Sequence, residues 1–305
     1  MIRTKSGAAA LSIASNSVLI ALKLAAGAIT GSIAILTEAI HSAIDLLASI
    51  IAFVSVRKAD EPADANHPYG HARMENLAAA IEGMLILVGA GVIIFEATRR
   101  LATGSEVEDL GVGFAVIGFS MVANIIVSTF LYRRARVLDS PALEGDAAHL
   151  RTDALTSFGV FAGLVLVEVT GEPAFDSIAA LVLAAVIVVA GIRILSRSSR
   201  VLVDESVPAA ELDLIEEAIA EERAHHPEIA GYHKLRARRG GARRHIDLHL
   251  QFHSGTTLEV AHDLAHEVRG AIERALPNSE VLIHAEPETS LRPPEEEASG
   301  PYRAG

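Results

Sequence analysis

The chain has 305 residues, half of them hydrophobic, a formal net charge of −12 and not one cysteine. Disulfides and thiolate metal sites are thereby excluded, so any transition-metal site must be built from His, Asp and Glu. The acidic balance also argues against a nucleic-acid partner. Charge and hydropathy are unevenly spread. Residues 1–200 carry long Ala, Val, Ile, Leu and Gly runs with fifteen Lys/Arg against eighteen Asp/Glu, whereas the remainder holds eleven against twenty and reads as a charged soluble domain.

A membrane-crossing helix needs roughly 20 mostly apolar residues. Six stretches meet that requirement, at about 8–30, 33–56, 77–99, 111–132, 149–170 and 175–195. Gly31, the turn-prone segment 59–70, the stretch from Gly104 to Gly111, Asp139-Ser-Pro141 and Gly171-Glu-Pro173 punctuate them. The first segment follows Arg3 and Lys5 but lacks a convincing signal-peptide cleavage site. Basic residues set the expected orientation. Arg3, Lys5, Arg57, Lys58, Arg73, Arg133, Arg134, Arg136, Arg151, Arg193, Arg197 and Arg200 fall on one side, and only Arg99 and Arg100 on the other. The expectation is a multi-pass protein of the cell membrane, lodged in the lipid bilayer with both termini cytoplasmic.

Beyond the last span, residues 209–223 form an amphipathic helix, 231–238 and 244–253 alternate as paired strands, 257–275 make a second helix and 280–285 a short strand. Arg236 to Arg244 reads as a solvated hairpin turning at Gly240-Gly241. The expected fold class is therefore an all-α six-helix transmembrane domain plus a C-terminal cytoplasmic α+β domain of αββαβ order, with helices on one face of its sheet. The domain limits are 1–204 and 205–290, followed by a Pro- and Glu-rich disordered tail at 291–305.

Residues 1–200 contain four histidines, and each has an aspartate within a few positions. His41 and Asp45 are four apart in the second span, and His149 and Asp153 repeat that spacing at the start of the fifth. Residues four apart share a helix face. Ionisable groups inside a membrane are costly and mark transport paths. Two imidazoles and two carboxylates converging from two helices make a tetrahedral site suited to Zn²⁺. The bland alternative is an interhelical His–Asp hydrogen bond. It weakens when two pairs share one spacing. Between the second and third spans, Asp64-Ala-Asn-His67-Pro-Tyr-Gly-His71-Ala-Arg-Met-Glu75 offers Asp64, His67 and His71 to a metal, although a His-bearing loop is often merely solvated. Lys23 reads as snorkelling or interior-lining, and Asn16, Glu82 and Asn124 as interhelical bonding or cargo contact.

Together the six spans, the paired His-x-x-x-Asp motifs, the His-Pro-Tyr-Gly-His-x-Arg-x-Glu loop and the αββαβ tail resemble the cation diffusion facilitator family over residues 10–290. That resemblance implies a homodimeric exporter of Zn²⁺ or a similar cation, working by alternating access with proton antiport, and a metallochaperone-like tail. It implies a transport site at His41, Asp45, His149 and Asp153, a loop site at Asp64, His67 and His71, and a binuclear, regulatory Zn²⁺ site in the tail. The tail site comprises His233, His249, His262 and His284 with a bridging acid, here Glu286 where the family often has Asp. His225, His226, His245, His253 and His266 fall outside that set and read as surface histidines. The same fold exporting Cd²⁺, Co²⁺, Fe²⁺ or Mn²⁺ is the nearest alternative. An intramembrane zinc hydrolase would need a His-Glu-x-x-His motif, and His266-Glu267 continues Val-Arg-Gly instead.

Overall fold

The computed structural model describes residues 4–30, 33–103, 111–172 and 174–290; the 291–305 segment expected to be disordered lies outside the described residues. The chain divides into two compact units, Met1–Arg200 and Val201–Gly305.

The first unit consists, among the described residues, of six long helices: α1 (Lys5–Thr30), α2 (Ile33–Ala59), α3 (Met74–Thr103), α4 (Gly111–Leu138), α5 (Pro141–Thr170) and α6 (Ala174–Leu202). They match the six expected stretches and extend beyond them, chiefly into the basic flanks. Three contain described segments long and apolar enough to cross a membrane, Lys5–Ala26, Met74–Ala102 and Ser177–Leu202. The start of α5 is locally encoded. Pro141 occupies the first helical position, where its missing N–H costs nothing, and Ser140 Oγ accepts from Leu143 N at 3.4 Å. Small residues let these helices pack closely. A Cβ on Gly145 would stand only 3.1 Å from Ala79 Cα and 3.2 Å from Glu82 Cβ, so α3 and α5 need glycine there.

Many Leu, Ile, Val and Phe side chains of the helical unit are exposed, including Val88, Phe95, Ile126 and Val182. Its buried set includes Ser12, Asn16, Lys23, Asp45, Glu82, Asp146 and His149. This polar-in, apolar-out arrangement suits a hydrocarbon surround, because polar side chains avoid lipid by facing the bundle interior.

The second unit builds α7 (Ala209–His225), β1 (Ile229–Gly240), β2 (Arg243–Phe252), α8 (Leu258–Ala275) and β3 (Ser279–Pro287). The sheet runs β1-β2-β3, antiparallel between the first pair and parallel between the second. Alternate residues of β2, Ile246, Leu248, Leu250 and Phe252, join Ile215 and Ile219 of α7 and Leu264, Val268 and Ile272 of α8 in one apolar core. Thr257 caps α8 by accepting from Val260 N. The hairpin turns at Gly241-Ala242 rather than Gly240-Gly241, since Gly240 still pairs with Arg243. Gly241 takes φ +64°, a region glycine enters without steric cost.

The basic run beside this turn is engaged rather than simply solvated. Arg236 binds Asp247, Arg238 binds Asp204 at 3.0 Å, and Arg239 and Arg244 both hold Glu211.

Candidate metal centres

Asp45 of α2 and His149 and Asp153 of α5 come together inside the helical unit, each offering a ligand atom within 4.8 Å of the others. His149 Nε2 stands 3.3 Å from Asp45 Oδ1 and 3.9 Å from Asp153 Oδ2. Asp45 and His149 are buried. The helical period produces this: residues 149 and 153 lie one turn apart on one face of α5. His41 lies one turn before Asp45 on α2, and its side chain is outside the described residues.

Polar neighbours from α1, α2, α3 and α5 complete the surroundings. Glu82 of α3, fully buried, approaches the other ring nitrogen, with Oε2 3.8 Å from His149 Nδ1. Asp146, one turn before His149, accepts from Ser12 at 3.2 Å and Ser49 at 3.0 Å. Asn16 donates to Ser49 at 2.9 Å and to the Asp45 carbonyl at 3.4 Å. Lys23 is buried and donates to Ser42 at 2.7 Å, so it lines the interior instead of snorkelling. Sequence reasoning missed Asp146, Ser12 and Ser49. The available signal was spacing: Asp146, His149 and Asp153 at i, i+3 and i+7 share one helical face.

Nearer the start of α3, buried Glu75 joins Lys5 of α1 at 2.5 Å and also accepts from Ser140. That clasp ties α1 and α3 to the beginning of α5.

A second cluster closes in the α2–α3 loop. Asp64 Oδ1 accepts from the backbone N–H of His67 at 2.7 Å and of Asn66 at 2.9 Å. These backbone donors hold the Asp64 carboxyl below the usual carboxylate range. His71 Nε2 lies 3.1 Å from His67 Nδ1 and 3.3 Å from Asp64 Oδ2, so all three expected residues meet. Gly70, at φ +78°, supplies the turn that brings His71 back.

The third cluster lies on the sheet face opposite the tail helices. Register places His233, His249 and His284 side by side across the three strands, with Glu286 two residues on. Glu286 reaches His233 with Oε1, while Oε2 is 3.1 Å from His249 Nδ1 and 4.0 Å from His284 Nε2. The closest group is His233, His249 and Glu286, with the His284 ring 4.7 Å from that of His249. His233 is buried, its Nδ1 without a hydrogen-bond partner. His262 is not in the close group; it is exposed on α8 and its ring packs 4.5 Å from His266. The other unmatched histidines have protein partners. His226 is 2.8 Å from Glu267, His253 2.7 Å from Glu288, His245 3.3 Å from Glu280, and His225 2.8 Å from the Glu221 carbonyl.

Residues 9–203 match the family model of the cation efflux transmembrane domain, and residues 210–288 that of the cation efflux protein cytoplasmic domain. The chain belongs to the cation diffusion facilitator family. It is a cation efflux transporter by family, with a helical transmembrane domain and a cytoplasmic domain built on a small sheet. An uncharacterized transporter from Synechocystis is 32% identical over 279 residues, covering 92% of this chain and 89% of its own. The cation-efflux pump FieF of Salmonella agona is 31% identical over 285 residues, covering 93% of each chain. Among solved structures, the Zn form of CzrB is 31% identical, spans 29% of this chain and 98% of its own, and has a TM-score of 0.27. The metal-bound C-terminal domain of the CzcD transporter from Thermotoga maritima is 24% identical, spans 28% of this chain and 100% of its own, and has a TM-score of 0.25.

Proposed function

We propose that this transporter exports a divalent transition metal, Zn²⁺ first, from the cytoplasm in exchange for protons. The observation that carries the reading is the group of buried Asp45 and His149 with half-buried Asp153, drawn from two helices of the efflux domain. His41, one turn from Asp45, supplies the fourth donor of a two-nitrogen, two-oxygen tetrahedral set. Imidazole favours Zn²⁺ over Mn²⁺, which prefers oxygen; Co²⁺, Cd²⁺ and Fe²⁺ remain in range of the same donors.

Coupling follows from the ligands themselves. A metal binds deprotonated imidazole and carboxylate, so protons and cargo compete for the same atoms. Histidine titrates near neutrality and suits this exchange. In alternating access, the site loads facing the cytoplasm and empties where protons are more abundant. The basic flanks support placing both termini in the cytoplasm.

The transporter works as a homodimer on this reading, with the tail as the regulatory metal domain. The orphaned, buried His233 nitrogen and the two-sided reach of Glu286 fit a carboxylate and imidazoles gathered for Zn²⁺. His233, His249, His284 and Glu286 would hold it, with His262 joining from α8. Bound there, the metal supplies charge compensation that lets acidic tails approach. Asp64, His67 and His71 form a separate loop site. The test is flux into proteoliposomes for a panel of divalent cations with an imposed pH gradient. Uptake of Zn²⁺ that follows the gradient supports the reading, and gradient-independent flux opposes it.

A further inference from the structure

We infer that Glu82 positions the His149 imidazole by accepting a hydrogen bond from Nδ1–H, which leaves the Nε2 lone pair for the cation. This rests on the reading of Asp45, His149 and Asp153 as the transport site.

The geometry is specific. His149 Nε2 faces Asp45 and Asp153, and Nδ1, on the other side of the ring, faces Glu82 Oε2 at 3.8 Å. Glu82 has no solvent exposure, and neither of its carboxylate oxygens has a hydrogen-bond partner. His149 Nδ1 also lacks one. Two orphaned polar atoms therefore face each other in a buried interior. Leaving either unsatisfied costs free energy, so the arrangement is poised for a bond between them. Closing the gap to hydrogen-bond distance takes a shift of under about 1 Å, within reach of a small rotation of ring or carboxylate.

Glu82 does not join the close group of Asp45, His149 and Asp153, which separates it from the cargo ligands. Its stem is set by packing. Gly145, one turn before His149, lies against Ala79 and the Glu82 Cβ, so α3 meets α5 at the level of the imidazole. The chemistry is that of a histidine ligand whose second nitrogen donates to a carboxylate. Such a partner selects the tautomer, fixes the ring and raises ligand basicity, and its loss weakens metal affinity about 10–100-fold.

The experiment uses the full-length protein in proteoliposomes, reading initial Zn²⁺ flux against Zn²⁺ concentration. Glu82→Leu and Glu82→Met remove the acceptor at similar volume, and Glu82→Gln retains a carbonyl acceptor. The half-saturating concentration is expected to rise about tenfold or more in the first two, with a smaller fall in maximal rate, and to stay within about threefold in Glu82→Gln. Histidine ¹⁵N spectra of the Zn²⁺-loaded protein, in which the cation replaces the proton between Nε2 and Asp45, should show the wild-type His149 in its Nδ1–H tautomer, assigned by difference against His149→Gln. Wild-type half-saturation in both apolar variants, a Glu82→Gln defect as large as theirs, or an Nε2–H tautomer would each overturn the assignment. The tautomer decides the matter even where the apolar variants fail to assemble. Asp45→Ala, run alongside, separates the two readings: normal flux there sinks the transport site itself, whereas its loss beside unaffected Glu82 variants sinks only the role of Glu82.

Discussion

His149 Nε2 and Asp45 Oδ1 meet at 3.3 Å across a sequence separation of 104 residues, joining α5 to α2 inside the efflux domain. Asp153 faces the same nitrogen from one turn along α5. Two carboxylates around one imidazole repel one another in a buried setting, and a divalent cation between them reverses that balance.

The nitrogen donors should govern cargo choice. Replacing His41 with aspartate turns a two-nitrogen set into an oxygen-rich one, which suits harder cations. His41→Asp should shift competitive uptake from a mixed-metal solution towards Mn²⁺ by severalfold relative to Zn²⁺. An unchanged ratio would count against selection by imidazole.

The tail unit has its own apolar core and should unfold as a domain. A ligand binding only the folded state adds about 2.7 kcal/mol at a hundredfold excess over its Kd. For a domain of this size that raises Tm on the order of 10 °C or more. Zn²⁺ should stabilise residues 201–290 by that order and draw the tail dimer together in small-angle scattering. Glu286→Ala should remove most of the gain, because Glu286 contacts both His233 and His249. His266→Ala should remove little. Equal losses in the two variants would contradict the ligand assignment.

Glu211 gives the tail a metal-independent pH dependence. Burial pushes its carboxyl up, but hydrogen bonds from Arg244 and Arg239 outweigh this and hold it below the usual carboxylate range. A depressed folded-state value means the stabilisation is complete above about pH 4.5 and is lost as pH falls through the lowered value. In Zn²⁺-free buffer, the tail should therefore lose thermal stability more steeply below pH 4.5 than Glu211→Gln does. Parallel acid profiles for the two proteins would show that this cluster contributes nothing.

Much of this organisation was legible from periodicity. Six apolar runs anticipated α1 to α6, and the alternation of Ile246, Leu248, Leu250 and Phe252 anticipated the core face of β2. His-x-x-x-Asp works as a signal because one helical turn puts both side chains on one face. The three-residue loop cluster was legible for a similar reason: its members are close in sequence. Longer-range relations were not. Nothing local announces that Asp146 meets Ser12 and Ser49, or that Glu82 faces His149, because helix packing decides those pairings. The exact hairpin turn at Gly241-Ala242 depended on register, which composition alone does not specify. The ion pairs of Arg236, Arg238, Arg239 and Arg244 were hidden for the same reason, since their acidic partners lie on other elements.

The most direct test of the central claim is Zn²⁺ flux through purified Asp45→Ala and Asp153→Ala proteins in proteoliposomes under a pH gradient, with folding and dimer content checked by size exclusion. Each variant should retain the wild-type assembly while its flux falls to the level of protein-free vesicles. Near-normal transport by either folded variant would contradict the assignment of the α2–α5 cluster as the path of the metal.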